Sequence, residues 1–252
     1  MLKQIAVPLG AVVAFLLFWE FLVWVNDWPN YKMASPSDLP PAFWKFKGLF
    51  VEMGWQTLWR TVAGLGLAVL FGTLLGMAMG FSKIARDAVY PLLVGFNAIP
   101  KATLVPVIAL IFIGQHDFNT VLMAFLISFF PIAVSVGIGL STLEPEYRDI
   151  LRALGASRVT IFWKIALPKT LPEFFGALKV AVTLAFIGTN LVEIVSPHGR
   201  GLGALFKSGE TNGDYPLMFA VLIALAFLGI VLYYAVVALE RIFAGWAERP
   251  AS

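Results

Sequence analysis

Apolar residues run through this chain in long blocks, without the short alternation of a β-strand. The first block, Ile5 to Val25, is about 20 residues long. That suffices to cross a ~30 Å hydrocarbon layer at ~1.5 Å per residue. Secretory signal peptides have shorter apolar regions and a small-residue cleavage site. Here the block ends in Trp24-Val25-Asn26-Asp27-Trp28, so it reads as a retained first helix with interfacial tryptophans. Further blocks fall at 57–81, 88–114, 118–141, 172–195 and 215–240. The pattern predicts an all-α, polytopic membrane protein of about six transmembrane helices, organised as a single domain over 1–252.

Within the second block, Gly64, Ala68, Gly72, Gly76 and Gly80 recur every four residues and share one helical stripe. In lipid such a stripe lets a second backbone approach closely, so it reads as a packing surface. The third block holds Pro91, Pro100 and Pro106. Proline lacks a backbone donor and disfavours helix in the residue before it. An interfacial helix to about Ile99, then a shorter crossing helix, fits better than one straight rod. Lys101 then sits near the start of the second piece, free to snorkel.

Composition supports the lipid reading. The chain is 60% hydrophobic and 13% charged, with mean hydropathy +0.85, whereas soluble domains carry about 25% charged residues. The absence of cysteine and the presence of two histidines, His116 and His198, exclude a disulfide framework and a multi-His or thiolate metal site within one chain. The pI near 9.2 fits the positive-inside rule better than nucleic-acid binding. With the N-terminus inside, inner segments carry Lys3, Lys83, Arg86, Arg148, Arg152, Arg158, Lys164, Lys169, Arg241 and Arg249, and outer segments carry only Lys32, Lys45, Lys47, Arg200 and Lys207. Both termini are therefore expected in the cytoplasm. The outer loop 26–56, rich in proline and aromatics, suits an interfacial anchor, with a docking surface for an outside partner as the alternative.

The inner loop 143–171 is predicted as helix, glycine hinge, helix. Glu144-Pro145-Glu146 suits a first helical turn, Ile150, Leu151 and Leu154 share a face, and Gly155 offers a left-handed residue. Ser157 caps a second helix over 158–166. Pro168 and Pro172 are expected to punctuate the return to the membrane. In the fifth block Lys179, Thr183, Phe186, Asn190 and Glu193 fall within an arc of about 80°. In a membrane, polar groups face a cavity or a protein neighbour. The first expectation is a translocation path, and the alternative is helix–helix hydrogen bonding.

Asp149-Ile150-Leu151-x-x-x-Gly155, nine intervening residues and then Ile165-x-Leu167-Pro168, resembles the cytoplasmic "EAA" loop of ABC importer permeases. Asp149, Ile150 and Leu151 stand where that pattern has Glu-Ala-Ala. Ser35-Pro36-Ser37-Asp38, Leu58-Trp59-Arg60-Thr61-Val62-Ala63-Gly64, Ile99-Pro100-Lys101 through Pro106, and Glu193 followed by Gly201-Leu202-Gly203 are similar to the subgroup importing sulfonates, taurine and nitrate. The resemblance implies a type I importer permease of a bacterial inner membrane. Its coupling helix (Asp149, Ile150, Leu151, Arg152, Leu154, Gly155, Ala156, Ile165, Leu167 and Pro168) would seat in a separate ABC ATPase. It also implies a homodimer, a periplasmic or lipid-anchored solute-binding protein, and ATP with Mg2+ held by the ATPase, with no cofactor on this chain. The solute would be an organic anion or zwitterion. An ion-driven secondary transporter is the competing reading, but that class places charges deep in several spans. No phosphate loop or nucleophile set is evident: Gly201 with Phe206-Lys207-Ser208 lacks the second glycine of a Walker A loop.

Overall fold

The computed structural model describes residues 2–141, 150–196 and 199–246, and every regular element among them is helical. α1 is Leu2–Asn26, and a 3-10 turn at Pro36–Asp38 leads into α2, Leu39–Lys45. α3 is Lys47–Phe81, α4 Lys83–Ala98, α5 Lys101–Ile111 and α6 His116–Ser141. α7 starts at Arg158–Ile161, passes through a π-helical turn at Phe162–Ala166 and continues as Leu167–Val195. α8 is Leu202–Asn212 and α9 is Tyr215–Phe243. Four helices (α3, α6, α7, α9) are long and apolar enough to cross a membrane, and α4 with α5 adds a fifth span if the bent pair counts as one. α1 has a shorter apolar stretch, Gly10–Asn26, so the described residues give four or five spans where the sequence pattern predicts about six.

The α3–α6 seam is the centre of the bundle. A Cβ on Gly76 would lie 2.6 Å from Val136 Cβ and 2.7 Å from the Ala133 carbonyl. One on Gly72 would meet Ile132 Cβ and the Phe129 carbonyl at 3.0 Å, and Gly64 faces Ala124 in the same way. The four-residue stripe is therefore a packing surface, as its spacing indicates. Van der Waals contact at this range is a main source of helix association where lipid is as apolar as leucine. α7 closes the other side, with Ala181, Val182 and Phe175 joining Ala68, Ile132 and Val136 in one core.

The break at Pro100 is real. α4 and α5 meet at 92°, and Lys101 Nζ donates to the carbonyls of Phe96, Asn97 and Ile99 at 2.8–3.0 Å. It thus caps the C-terminus of α4, whose last carbonyls have no helical donors.

Two sequence expectations are corrected. The segment 26–56 is not an open loop before a span at 57: α3 begins at Lys47. α2 and the Ser35–Asp38 turn fold back onto α1, where Glu20 accepts from the backbone N–H (3.0 Å) and hydroxyl (2.9 Å) of Ser37. Pro168 and Pro172 do not separate a short helix from the fifth span. The π turn takes up the missing donor of Pro168, and helix runs unbroken from Arg158 to Val195.

The seam makes a quantitative prediction. Gly76→Ala forces backbone apart and should cost roughly 1–3 kcal/mol, as overpacking does. Gly66→Ala, in the same helix but with nothing within 4 Å of its new Cβ, should leave the thermal midpoint in detergent unchanged or slightly raised. Equal midpoints for the two variants would contradict this account of the seam.

Candidate functional site

At the end of the bundle carrying residues 150–171, residues 150–153 are helical. The helix stops in a Schellman arrangement. Ala156 N–H donates to the Leu151 carbonyl and Gly155 N–H to that of Arg152, both at 2.9 Å, with Gly155 at φ +81°. Ser157 then caps α7, accepting from Thr160 N–H at 3.1 Å through its hydroxyl oxygen. The chain thus makes helix, left-handed glycine and capped helix in nine residues. Ile150 (58%), Leu154 (78%) and Trp163 (62%) are left exposed, and Arg152 is exposed beside them. Leu151, Ala156, Ile165, Leu167 and Pro168 are half-buried. Asp149 and the first turn with Glu144-Pro145-Glu146 lie outside the described residues.

The π turn has a physical reason. In an α-register Pro168 would leave the carbonyl four residues earlier, that of Lys164, without a donor. The helix meets that position with a π bulge one residue before the proline. The π register is seen in Leu167 N–H donating to Phe162 O. Beside it lies an apolar cavity of about 270 Å³, lined by Phe162 and Leu167 of α7, Val69 and Thr73 of α3, and Val136 and Leu140 of α6.

The fifth-span stripe is divided among several partners. Lys179 Nζ pairs with Glu240 of α9 at 2.8 Å. Thr183, exposed, donates its hydroxyl to the Lys179 carbonyl. Phe186 packs into the α3–α6–α7 core. Asn190 donates its amide to the Phe186 carbonyl at 2.8 Å, while its Oδ1 is buried without a partner. Glu193 has no exposed surface.

Glu193 belongs to a cluster at the opposite end of the bundle, centred on a residue that sequence reasoning did not select. Arg60, from α3, is 1% exposed. Its Nε donates to Asp117 at 2.9 Å, and its terminal nitrogens reach Glu193 Oε1 (3.2 Å), Gln56 Oε1 (3.2 Å), Asp117 and the Arg200 carbonyl. Those five contacts match the five N–H groups of a guanidinium. Glu193 accepts from Thr57 Oγ1 at 2.9 Å and from Gly203 N–H at 3.0 Å, at the start of α8. Thr57 Oγ1 in turn accepts from Leu202 N–H at 2.9 Å. Thr61 and Thr189 bond across α3 and α7 at 3.0 Å.

Gly201 and Gly203 make the cluster possible. Gly201 has φ +128°, and a Cβ there would overlap the Glu193 carboxylate; one on Gly203 would lie 2.8 Å from Glu193 Cβ. The signal for Arg60 was present in the sequence: an arginine among apolar residues, thirteen positions into a crossing helix, is a functional or structural centre by default. Its partners, from 57 to 140 residues away, were not visible.

Breaking the pair should be worse than removing both members. Arg60→Met leaves Glu193 charged and unpaired in the interior and should cost about 3–5 kcal/mol. Adding Glu193→Gln should restore part of that loss, because Gln still accepts from Gly203 N–H. Thermal unfolding of both variants in detergent decides it, and a double variant no better than Arg60→Met alone would contradict the pairing.

Comparisons with known proteins converge with this geometry. Residues 68–245 match the family described as binding-protein-dependent transport system inner membrane component. The formylaminopyrimidine transport permease protein ThiX of Halalkalibacterium halodurans is 34% identical over 186 residues, 74% of each chain. The taurine transport system permease protein TauC of Escherichia coli is 25% identical over 257 residues, 97% of this chain and 90% of its own. Among solved structures, the inward-facing MetNI methionine ABC transporter shares the fold, with TM-score 0.63 at 20% identity, covering 79% of this chain and 98% of the matched chain.

Proposed function

This chain belongs to the family of inner membrane components of binding-protein-dependent transport systems, and we propose that as a homodimer it forms the translocation path of an importer powered by two separate ATPase subunits. It is a multi-pass permease subunit and not an enzyme, and its family implies an ATPase and a solute-binding protein as partners. This membership sets aside the ion-driven carrier.

One observation carries the coupling assignment. A capped helix–glycine–helix leaves Ile150, Leu154 and Trp163 exposed at one end of the bundle, which supports seating in an apolar groove of a partner. Asp149, Ile150, Leu151, Arg152, Leu154, Gly155, Ala156, Ile165, Leu167 and Pro168 form the coupling element in this reading. The π turn at Phe162–Ala166 joins this element to the rest of α7. ATP and Mg2+ reside on the ATPase. The loop 143–171 and both termini face the cytoplasm of a bacterium, and 26–56 faces outward to the solute-binding protein.

Lys179, Thr183, Phe186, Asn190 and Glu193 mark the side of α7 assigned to the path. The ion pairs of Lys179 and Glu193 confine the polar lining available to solute to the middle of that stripe. The solute is a small organic anion or zwitterion such as a sulfonate or taurine, or nitrate, in keeping with the taurine permease among the relatives. A second reading, an uncharged heterocycle, is favoured by the 34% identity to a formylaminopyrimidine permease and by Glu240 neutralising the one cation of the stripe.

The energy source is tested first. The purified chain alone should hydrolyse no ATP, and activity should appear only with the ATPase subunit; turnover by the chain alone would sink the assignment. Because the chain has no native cysteine, a single cysteine at Ser157 should be labelled only by reagents reaching the cytoplasmic side. Gly155→Asp places a side chain at φ +81° and a charge beside Leu154. The variant should still insert, yet lose ATPase binding in pull-downs and at least about tenfold of solute uptake in proteoliposomes. Wild-type assembly and uptake would remove this loop from the coupling route.

A further inference from the structure

An open cavity of about 440 Å³ lies between α3, α4 and α6, at the same end of the bundle as the coupling segment. Arg86, Asp87 and Tyr90 of α4 line one side; Met79 of α3 and Ile138 and Ser141 of α6 line the others. Arg86 Nε donates to the Met79 carbonyl at 3.2 Å, which holds the guanidinium at the wall. Its terminal nitrogens have no partner among the described residues, and Asp87 has neither a hydrogen bond nor an ion pair there. Two opposite charges thus line one cavity and pair neither with each other nor with another described charge. Among the described residues, Arg60 is joined with Glu193 and Asp117, Lys179 with Glu240 and Lys207 with Glu210.

The setting is a membrane surface. α4 is amphipathic and stands at 92° to α5, which suits a helix lying along a bilayer surface. Ile84 and Leu92 on α4 and Ile138 on α6 are exposed, giving apolar surface beside the charged lining. The geometry points to a binding site for the headgroup of phosphatidylethanolamine. Its phosphate meets the free face of Arg86, its ammonium meets Asp87, and the hydroxyls of Tyr90 and Ser141 complete the polar contacts. Guanidinium presents paired donors that match phosphate oxygens. A primary ammonium can donate to the Asp87 carboxylate, and a choline group cannot. Phosphatidylglycerol satisfies Arg86 and leaves Asp87 unpaired. This assignment is independent of the solute and of the ATPase, so its test stands apart from the transport reading.

The test is lipid retention by the purified full-length chain, read by native mass spectrometry from detergent containing equal amounts of phosphatidylethanolamine, phosphatidylglycerol and phosphatidylcholine. Phosphatidylethanolamine should be retained about tenfold over the other two, the ratio that one charge-assisted contact supplies. Asp87→Asn, at an exposed position, should erase the preference over phosphatidylglycerol. Arg86→Gln should weaken retention of all three, and Lys83→Gln, outside the cavity lining, should change nothing. Equal retention of the three lipids by the unaltered chain overturns the proposal, as does a preference that survives Asp87→Asn. Displacement of the lipid by millimolar taurine would make the site one for a soluble zwitterion and overturn the lipid assignment. Loss of the dimer in Arg86→Gln or Asp87→Asn, with lipid retention unchanged, would assign these charges to a contact between copies and overturn it equally.

Discussion

Arg60 and Glu193 can occupy the interior of this bundle only together. An isolated charge among apolar helices carries a desolvation penalty of several kcal/mol, and a buried pair offsets it only when the remaining donors and acceptors are also met. Here they are met from four directions. Asp117 comes from the first turn of α6, Thr57 and Gln56 from α3 itself, Gly203 N–H from the start of α8, and the Arg200 carbonyl from the segment before it. Each contact is also a constraint on the element that supplies it. α8 can begin only where Gly201 and Gly203 let the backbone wrap a carboxylate. α6 can begin only where Asp117 reaches the guanidinium. One pair of charges therefore sets the mutual height of α3, α6 and α7 at that end.

Below that cluster the helices are held by shape. Water drives no association between apolar helices in lipid, so close backbone approach takes its place. The glycines of α3 against Ile132, Val136 and Leu140 of α6 provide it. The two kinds of contact divide the work: charges fix register at one end, and small residues fix distance along the rest. Lys179 with Glu240 repeats the first device between α7 and α9. The polar stripe of α7 is thus largely spent on helix contacts at its two ends. Of the two readings weighed from sequence, interhelical bonding describes Lys179 and Glu193 at the ends of the stripe.

What the sequence disclosed follows from the range of each interaction. Features governed by neighbours within a turn or two were legible: the spans, the α3 stripe, the Pro100 break, Gly155 as a left-handed stop and Ser157 as a cap. The partners of Arg60 were not, because Glu193 stands 133 residues away, and a lone arginine near the start of a predicted span looks like an interfacial anchor. The start of α3 at Lys47 was missed because Lys47 to Gln56 mixes Lys, Glu and Gly with apolar residues, and only its packing on Phe43 and on α8 makes it helix. The continuity of α7 through Pro168 was missed because a proline rule written for α-helices has no term for a π turn that absorbs the lost donor.

Rigidity is therefore distributed unevenly along the bundle axis. At the Arg60 end, four elements share one set of charge-assisted bonds. Small displacements there break several contacts at once, and those to the buried Glu193 are the costliest to lose. At the other end, the π turn of α7 borders an apolar cavity of about 270 Å³. Interiors packed to crystalline density transmit displacement and do not absorb it, so compliance must be built in as vacant volume or alternative bonding. This chain has such volume within one turn of Pro168. A displacement applied through the exposed Ile150–Leu154 segment meets the compliant joint first and the charge-locked end last. Such an order lets the half of α7 nearer Pro168 turn against α3 and α6 while the half carrying Glu193 keeps its register.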